Sequence, residues 1–116
     1  TRVYNKESES LCMEIDSIHP IDYRGKLIKQ YEEKQIALYK NKLIILRFSG
    51  LYDSQSKEIS KNHLHRDNAA KIIQFFIENN FYFKSHQIFN CSEDNPLGQI
   101  SNKKIKDLGF IFKEYN

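Results

Sequence analysis

The run Leu43-Ile-Ile-Leu-Arg-Phe48, closed by Ser49-Gly50, constrains this chain more than any other segment. It is apolar almost throughout, with only Arg47 inside it. A strand of that kind is buried on both faces, as in a parallel sheet covered by helices. Parallel strands need a crossover between them, usually a helix. The neighbouring segments supply helical patterns. Asp22 can cap a helix that places Leu27, Ile28, Tyr31 and Leu38 on one face, with Lys29, Glu32, Glu33 and Lys34 on the others. That helix is predicted to end near Lys40, with Asn41 as a stop signal. Ala69, Ile72, Ile73, Phe76 and Ile77 form the strongest helical period in the chain and are predicted core. Asp67 is placed to cap that second helix and Asn79-Asn80 to close it.

The remaining segments fit around these. Asn5 to Pro20 is polar and aperiodic, a predicted loop with a turn at His19-Pro20. Asp53 to Lys61 is a predicted mobile loop, and Asn62 to Asp67 a short polar entry into the second helix. Gln87 to Asn90 reads as a second strand, and Asn95-Pro96-Leu97-Gly98 as a turn. Ser101 is placed to cap a short helix through Leu108, with Gly109 in its C′ position and Phe110 to Phe112 extended beyond. Helix, strand, helix, strand in alternation predicts an α/β domain with parallel pairing. A sheet of two or three such strands would be small and poorly covered, which predicts missing partners.

At 116 residues the chain is one small domain or part of a larger one. Its 40% hydrophobic and 28% charged residues exclude a disordered chain. The net charge of +3 is spread among interspersed signs, and the longest basic stretch is Lys103-Lys104-Ile105-Lys106. No clustered basic face results, so nucleic acid is not an expected partner. Cys12 and Cys91 lie far apart and outside any ligand spacing, which reads as two reduced thiols in a cytoplasmic protein. No segment reads as a signal peptide, and no apolar run approaches the ~20 residues of a membrane span. His63, His65 and Asp67 can be written as a metal set. Three ligands at a helix entry, with no partner cluster elsewhere, do not predict a zinc site.

Six segments, in order, resemble the extended short-chain dehydrogenase/reductase family, the nucleotide-sugar epimerases and dehydratases. Thr1-Arg-Val-Tyr4 looks like the end of the strand carrying the family's catalytic Ser/Thr. Ile21 to Glu33 takes the place of the active-site helix, which begins Tyr-x-x-x-Lys. Leu43 to Tyr52 resembles the next strand and its Leu-Arg-x-x-Gly-x-Tyr turn, and Asn62 to Ala70 the Ile-His-Val-Asp-Asp-Ala segment. Ile88 to Pro96 is similar to Tyr-Asn-Val-Ser-Asp-Asp-Glu-Pro, and Ser101 to Phe110 to the closing Ser-Asn-x-Lys-Leu-x-x-Leu-Gly-Phe.

The resemblance implies the C-terminal part of a Rossmann-like NAD(P)-binding fold, with parallel strands, flanking helices and a small substrate-binding portion. The whole of 1–116 would be a single partial domain. Residues 1–52 would end the Rossmann-like sheet with its active-site helix, and 53–116 would form the substrate side. The implied activity is NAD(P)-dependent epimerisation, dehydration or reduction of a nucleotide-linked sugar. Lys26 and Tyr23 would be catalytic, and Lys26, Phe48 and Ser49 would meet NAD or NADP. Lys61 and Asn62 would meet the substrate, and the 22–40 helix could pair two copies into a homodimer.

The departures favour an alternative. No Gly-x-x-Gly-x-x-Gly occurs, so the loop that brings a pyrophosphate to a helix N-terminus is absent from the chain. The residue four before Lys26 is Asp22, and Tyr23 stands one position late. On a helix that slip rotates the phenol by about 100°. Tyr52 is followed by Asp-Ser-Gln-Ser-Lys rather than Gly-Pro-Gly-Arg, and the family's helix between Pro96 and Ser101 is missing. A non-catalytic α/β binding or interaction module derived from this family is the second expectation.

Overall fold

A computed structural model describes Tyr4, residues 11–16, Ile18, 20–39 and 42–115. Three helices and four strands follow in the order α1 (Tyr23–Leu38), β1 (Ile44–Phe48), β2 (Gly50–Tyr52), β3 (His63–His65), α2 (Arg66–Glu78), β4 (Gln87–Cys91) and α3 (Lys103–Leu108). β1 runs parallel to β4, with Ile44 opposite Gln87 and Phe48 opposite Cys91. β2 runs parallel to β3, with Gly50 opposite His63 and Tyr52 opposite His65. α2 lies in the crossover from β3 to β4. The architecture is thus a small α/β domain with short parallel strands, as the apolar run predicts.

The extended segment from β1 into β2 changes partner at Ser49. The Ser49 N–H donates to the Cys91 carbonyl at 3.1 Å, and the next N–H, of Gly50, donates to the Asn62 carbonyl at 3.1 Å. A Cβ on Gly50 would stand 2.9 Å from Ser60 Oγ and 3.3 Å from the Asn62 carbonyl oxygen. That approach is closer than side-chain carbon tolerates, which explains glycine here.

The core gathers Leu64, Ala69, Ile72, Phe89, Cys91, Ile105 and Phe110, with Leu46, Phe48, Phe75 and Phe76 packed against it. Each large apolar side chain so buried contributes about 1.5–3 kcal/mol. A smaller cluster joins Tyr4 and Cys12 to Ile18, Ile28 and Ile100. Cys12 and Cys91 are both buried and are not joined in a disulfide. None of the described helices is long and apolar enough to cross a membrane.

Several expectations are corrected. Asp22 does cap α1, its Oδ1 accepting from Gly25 N at 2.6 Å. Yet Leu27, Tyr31 and Leu38 face solvent, and the buried residues of α1 are Gly25 and Glu32. The inner face of this helix is centred on a carboxylate because β1 offers Arg47 as its partner, and apolar periodicity is blind to that. α1 ends at Leu38, and the expected end at Lys40-Asn41 lies outside the described residues. On α2, Ala69 and Ile72 are buried and Phe76 half-buried, but Ile73 and Ile77 are exposed. The α2 cap is His65, whose Nδ1 accepts from Asp67 N at 3.0 Å, so Asp67 sits in the first turn. The segment read as a polar helix entry contains a fully buried strand, β3. Ser101 precedes the α3 cap, Asn102, and accepts a long 3.3 Å bond from Lys103 N. Phe110 to Phe112 forms no strand. Thr1 to Val3, Asn5 to Ser10 and His19 lie outside the described residues, and with them most of the expected catalytic strand end, part of the loop and the turn at His19-Pro20.

Candidate functional site

The expected site residues are spread over α1, the end of β1 and the segment before β3. Tyr23 opens α1 and is 75% exposed, and Lys26, also exposed, follows within one turn. Asp22, four before Lys26, is spent as the helix cap. Phe48 ends β1, half-buried against the core. Ser49 is buried, and its Oγ has no hydrogen-bond partner among the described residues. Lys61 is exposed. Asn62 is half-buried, with Oδ1 accepting from Gln99 N at 2.7 Å and Ile100 N at 3.2 Å. Asn95 Nδ2 donates to the Lys61 carbonyl at 2.8 Å. Asn62 thereby fastens the turn around Gly98 to the start of β3.

These residues do not make a dinucleotide site by themselves. The four glycines are scattered singly, at Gly25, Gly50, Gly98 and Gly109, and cradle no pyrophosphate. The orphaned Ser49 Oγ is the one feature of the expected set that fits a polar group brought from outside.

A denser polar site lies where the β2–β3 pair ends. Glu93 follows β4, and its carboxylate is met from three segments. Tyr52 OH donates to Oε1 at 2.6 Å, while His65 N and Asn68 Nδ2 donate to Oε2, the latter at 3.0 Å. His63 Nε2 stands 3.9 Å from Oε1. Tyr52 meets both imidazoles edge-on, at ring-centroid distances of 5.3 Å to His63 and 5.0 Å to His65. β3 positions these rings through its period of two, turning His63 and His65 to one face and Leu64 to the core.

The hydrogen bonds fix the two tautomers in opposite senses. His63 Nδ1 lies 2.8 Å from the Ser60 carbonyl, so it carries the hydrogen. A neutral His63 therefore presents a bare Nε2. His65 Nδ1 accepts the α2 cap bond, so its hydrogen sits on Nε2. The C-terminal segment closes one side. Asn68 accepts from Lys113 N at 3.1 Å and donates to its carbonyl at 2.9 Å, as a paired strand would. Tyr115 stacks on His65, 3.8 Å between centroids at 10°. Between this strap and His63, Glu93 and Asp94 lies a cavity of about 220 Å³. Its wall includes none of Tyr23, Lys26, Phe48, Ser49, Lys61 or Asn62. Among the described residues no group of three His, Cys, Asp or Glu is arranged to hold a metal ion. Sequence reasoning missed Tyr52, Glu93 and Tyr115. The alternation His-Leu-His was the available signal.

A second polar cluster is wholly internal. Arg47 forks onto Glu32, Nη2 to Oε1 at 2.8 Å and Nε to Oε2 at 3.0 Å, and Nη1 donates to Tyr4 OH at 2.8 Å. Tyr4 OH donates on to Asn90 Oδ1 at 2.8 Å. Burial opposes the charged guanidinium, but the bond to Glu32 and the fields of Tyr4 and Glu32 leave the Arg47 pKa raised. Burial also raises the Tyr4 phenol, with Arg47 pulling the other way. This cluster has the form of a structural clamp between α1 and β1.

No family model, curated protein or solved structure matches the chain.

Proposed function

We propose that the chain is the C-terminal half of an atypical extended short-chain dehydrogenase/reductase-like protein that handles a nucleotide-linked small molecule. In this reading NAD(P), which supplies hydride chemistry when bound, is anchored by polypeptide outside these residues. The observation that carries the reading is the change of partner at Ser49. Two parallel pairs meet there at the C-terminal end of β1, the place where ligands sit in open α/β sheets. The buried, unpartnered Ser49 Oγ is aligned with that use. Lys26 and Tyr23, one turn apart on α1, would orient a ligand or hold a proton at the phenol oxygen. Lys61, exposed before β3, would meet a diphosphate.

A second reading, a non-catalytic binding or interaction module of the same descent, is favoured by one observation. The family's tyrosine position is occupied by Asp22, whose side chain is committed to the helix cap. The exposed stripe Tyr23, Leu27, Tyr31 and Leu38 gives such a module a contact face, including for a homodimer through α1.

Thermal melting of the intact protein with millimolar NAD(H) or NADP(H) separates the two. A ligand at 100 times its Kd stabilises the native state by about 2.7 kcal/mol. A shift with one dinucleotide supports the first reading. No shift with any of the four removes it. Leu27→Glu then tests the module, since it should abolish self-association seen by light scattering.

A further inference from the structure

We propose that the cavity between β3, Glu93 and the C-terminal strap is a binding site for a protonated primary amine. His63 is 8% exposed, and its Nδ1 is committed as donor to the Ser60 carbonyl. With Nδ1 as the donor, Nε2 of a neutral ring carries a lone pair 3.9 Å from Glu93 Oε1, and both residues line the cavity. Two acceptors at that distance cannot bond to each other. A nitrogen about 2.9 Å from both would see them roughly 85° apart across the 3.9 Å gap. Two hydrogens of one ammonium group reach such a pair with modest bending.

The surroundings select charge and class. The wall brings the carboxylates of Glu93, Asp94 and Glu114 against the single ammonium of Lys113. Lys113 Nζ is drawn toward the Tyr115 ring, 5.2 Å from its centroid. Asp94 is bonded to Lys106 and Asn102, so it contributes field rather than a contact. Phe112 and Tyr115 supply aromatic surface for the alkyl part of the ligand and for the cation. A carboxylate or phosphate ligand would bring only acceptors to Glu93 Oε1 and to Nε2 of a neutral His63. A quaternary ammonium would have no hydrogen to give to His63. The site does not depend on the dehydrogenase-like reading.

The test is amide NMR of the intact protein titrated with ethylammonium chloride, against tetramethylammonium chloride and sodium chloride at equal ionic strength. Saturating shifts at Glu93, Lys113 and Tyr115 are expected with ethylammonium alone. His63→Phe keeps a ring edge-on to Tyr52 but removes the acceptor, and should weaken binding about tenfold. Glu114→Gln, on an exposed residue, should weaken it roughly threefold without risk to folding. Equal responses to all three salts, shifts that do not saturate, or affinity unchanged in Glu114→Gln and in folded His63→Phe would overturn the proposal. Absence of any shift would leave a bridging water as the occupant and overturn it equally.

Discussion

Removing Glu32 should cost this protein more than removing any exposed charge, and the cost should be recovered by removing Arg47 as well. The Arg47 side chain is 3% exposed and that of Glu32 9%, so water screens neither. Two short bonds, at 2.8 and 3.0 Å, hold the charges together. Breaking such a buried pair from one side costs about 3–5 kcal/mol, mostly because the survivor stays buried and charged. Glu32→Ala leaves a guanidinium that cannot shed its proton, with Tyr4 OH as its remaining partner. Arg47→Met leaves a carboxylate, which can neutralise by taking one up. The first variant should therefore be the less stable of the two. With a urea slope of about 2 kcal/mol/M, a loss of ~4 kcal/mol moves the midpoint by ~2 M. That is a large part of the ~5–15 kcal/mol a domain possesses, so Glu32→Ala will border on unfolded. The double variant Glu32→Leu/Arg47→Leu removes both charges, and such replacements are commonly neutral or stabilising. It should fall within ~1 kcal/mol of the parent or above it. Equilibrium urea unfolding of the parent and three variants measures all of this. A loss below ~1 kcal/mol in Glu32→Ala, or a double variant as damaged as the singles, would refute the reasoning.

Three further outcomes follow from local geometry. The hydrogen bond from Lys106, then that from Asn102, holds the Asp94 carboxyl below the usual carboxylate range. Its stabilisation is present above the unfolded carboxylate pKa and lost as pH falls through the folded one, so Asp94→Asn should flatten the acid limb of a Tm-against-pH curve. Burial pushes the Cys91 thiol from 9.0 up to about 12, so its contribution is full below pH 9 and lost as pH rises toward about 12. Cys91 should then resist iodoacetamide in the native protein and react only on unfolding, as mass spectrometry will show. Gly109 ends α3 at φ 115°, and a Cβ there would touch nothing within 4 Å. Gly109→Ala should therefore cost only the left-handed backbone strain, about 1–2 kcal/mol by urea unfolding.

What the sequence makes legible depends on what does the packing. β1 is readable as a parallel strand from its apolar run, although only Arg47 within it is fully buried and Ile44 is exposed, and α2 is readable because Ala69 and Ile72 of its predicted stripe do reach the core. The orientation of α1 is unreadable for the opposite reason. A charge pair with β1 decides it, and the apolar residues that dominate its period face outward. The α2 cap eludes composition because Asp67 is the better capping residue by type. A buried imidazole at the end of β3 takes the task, and the cap bond itself fixes its tautomer. Glu93 stands in an acidic stretch that reads as surface. Its donors come from residues 41, 28 and 25 positions away, a convergence that only the fold creates.

The two buried charge clusters differ in where they stand on the sheet, and that difference bears on function. Arg47 lies inside β1, with its partners drawn from α1 and from Tyr4. A charge there is enclosed by the elements it joins, and its hydrogen bonds are spent on holding them. Glu93 lies beyond Cys91, the last residue of β4, where the strand has ended and the chain is free to turn. In parallel α/β sheets that end is the one open to ligands. Glu93 also stands 3.9 Å from His63 Nε2, and both residues line a cavity. A charge enclosed within β1 and a carboxylate on a cavity wall beyond the end of β4 separate a structural clamp from a site with room for a ligand.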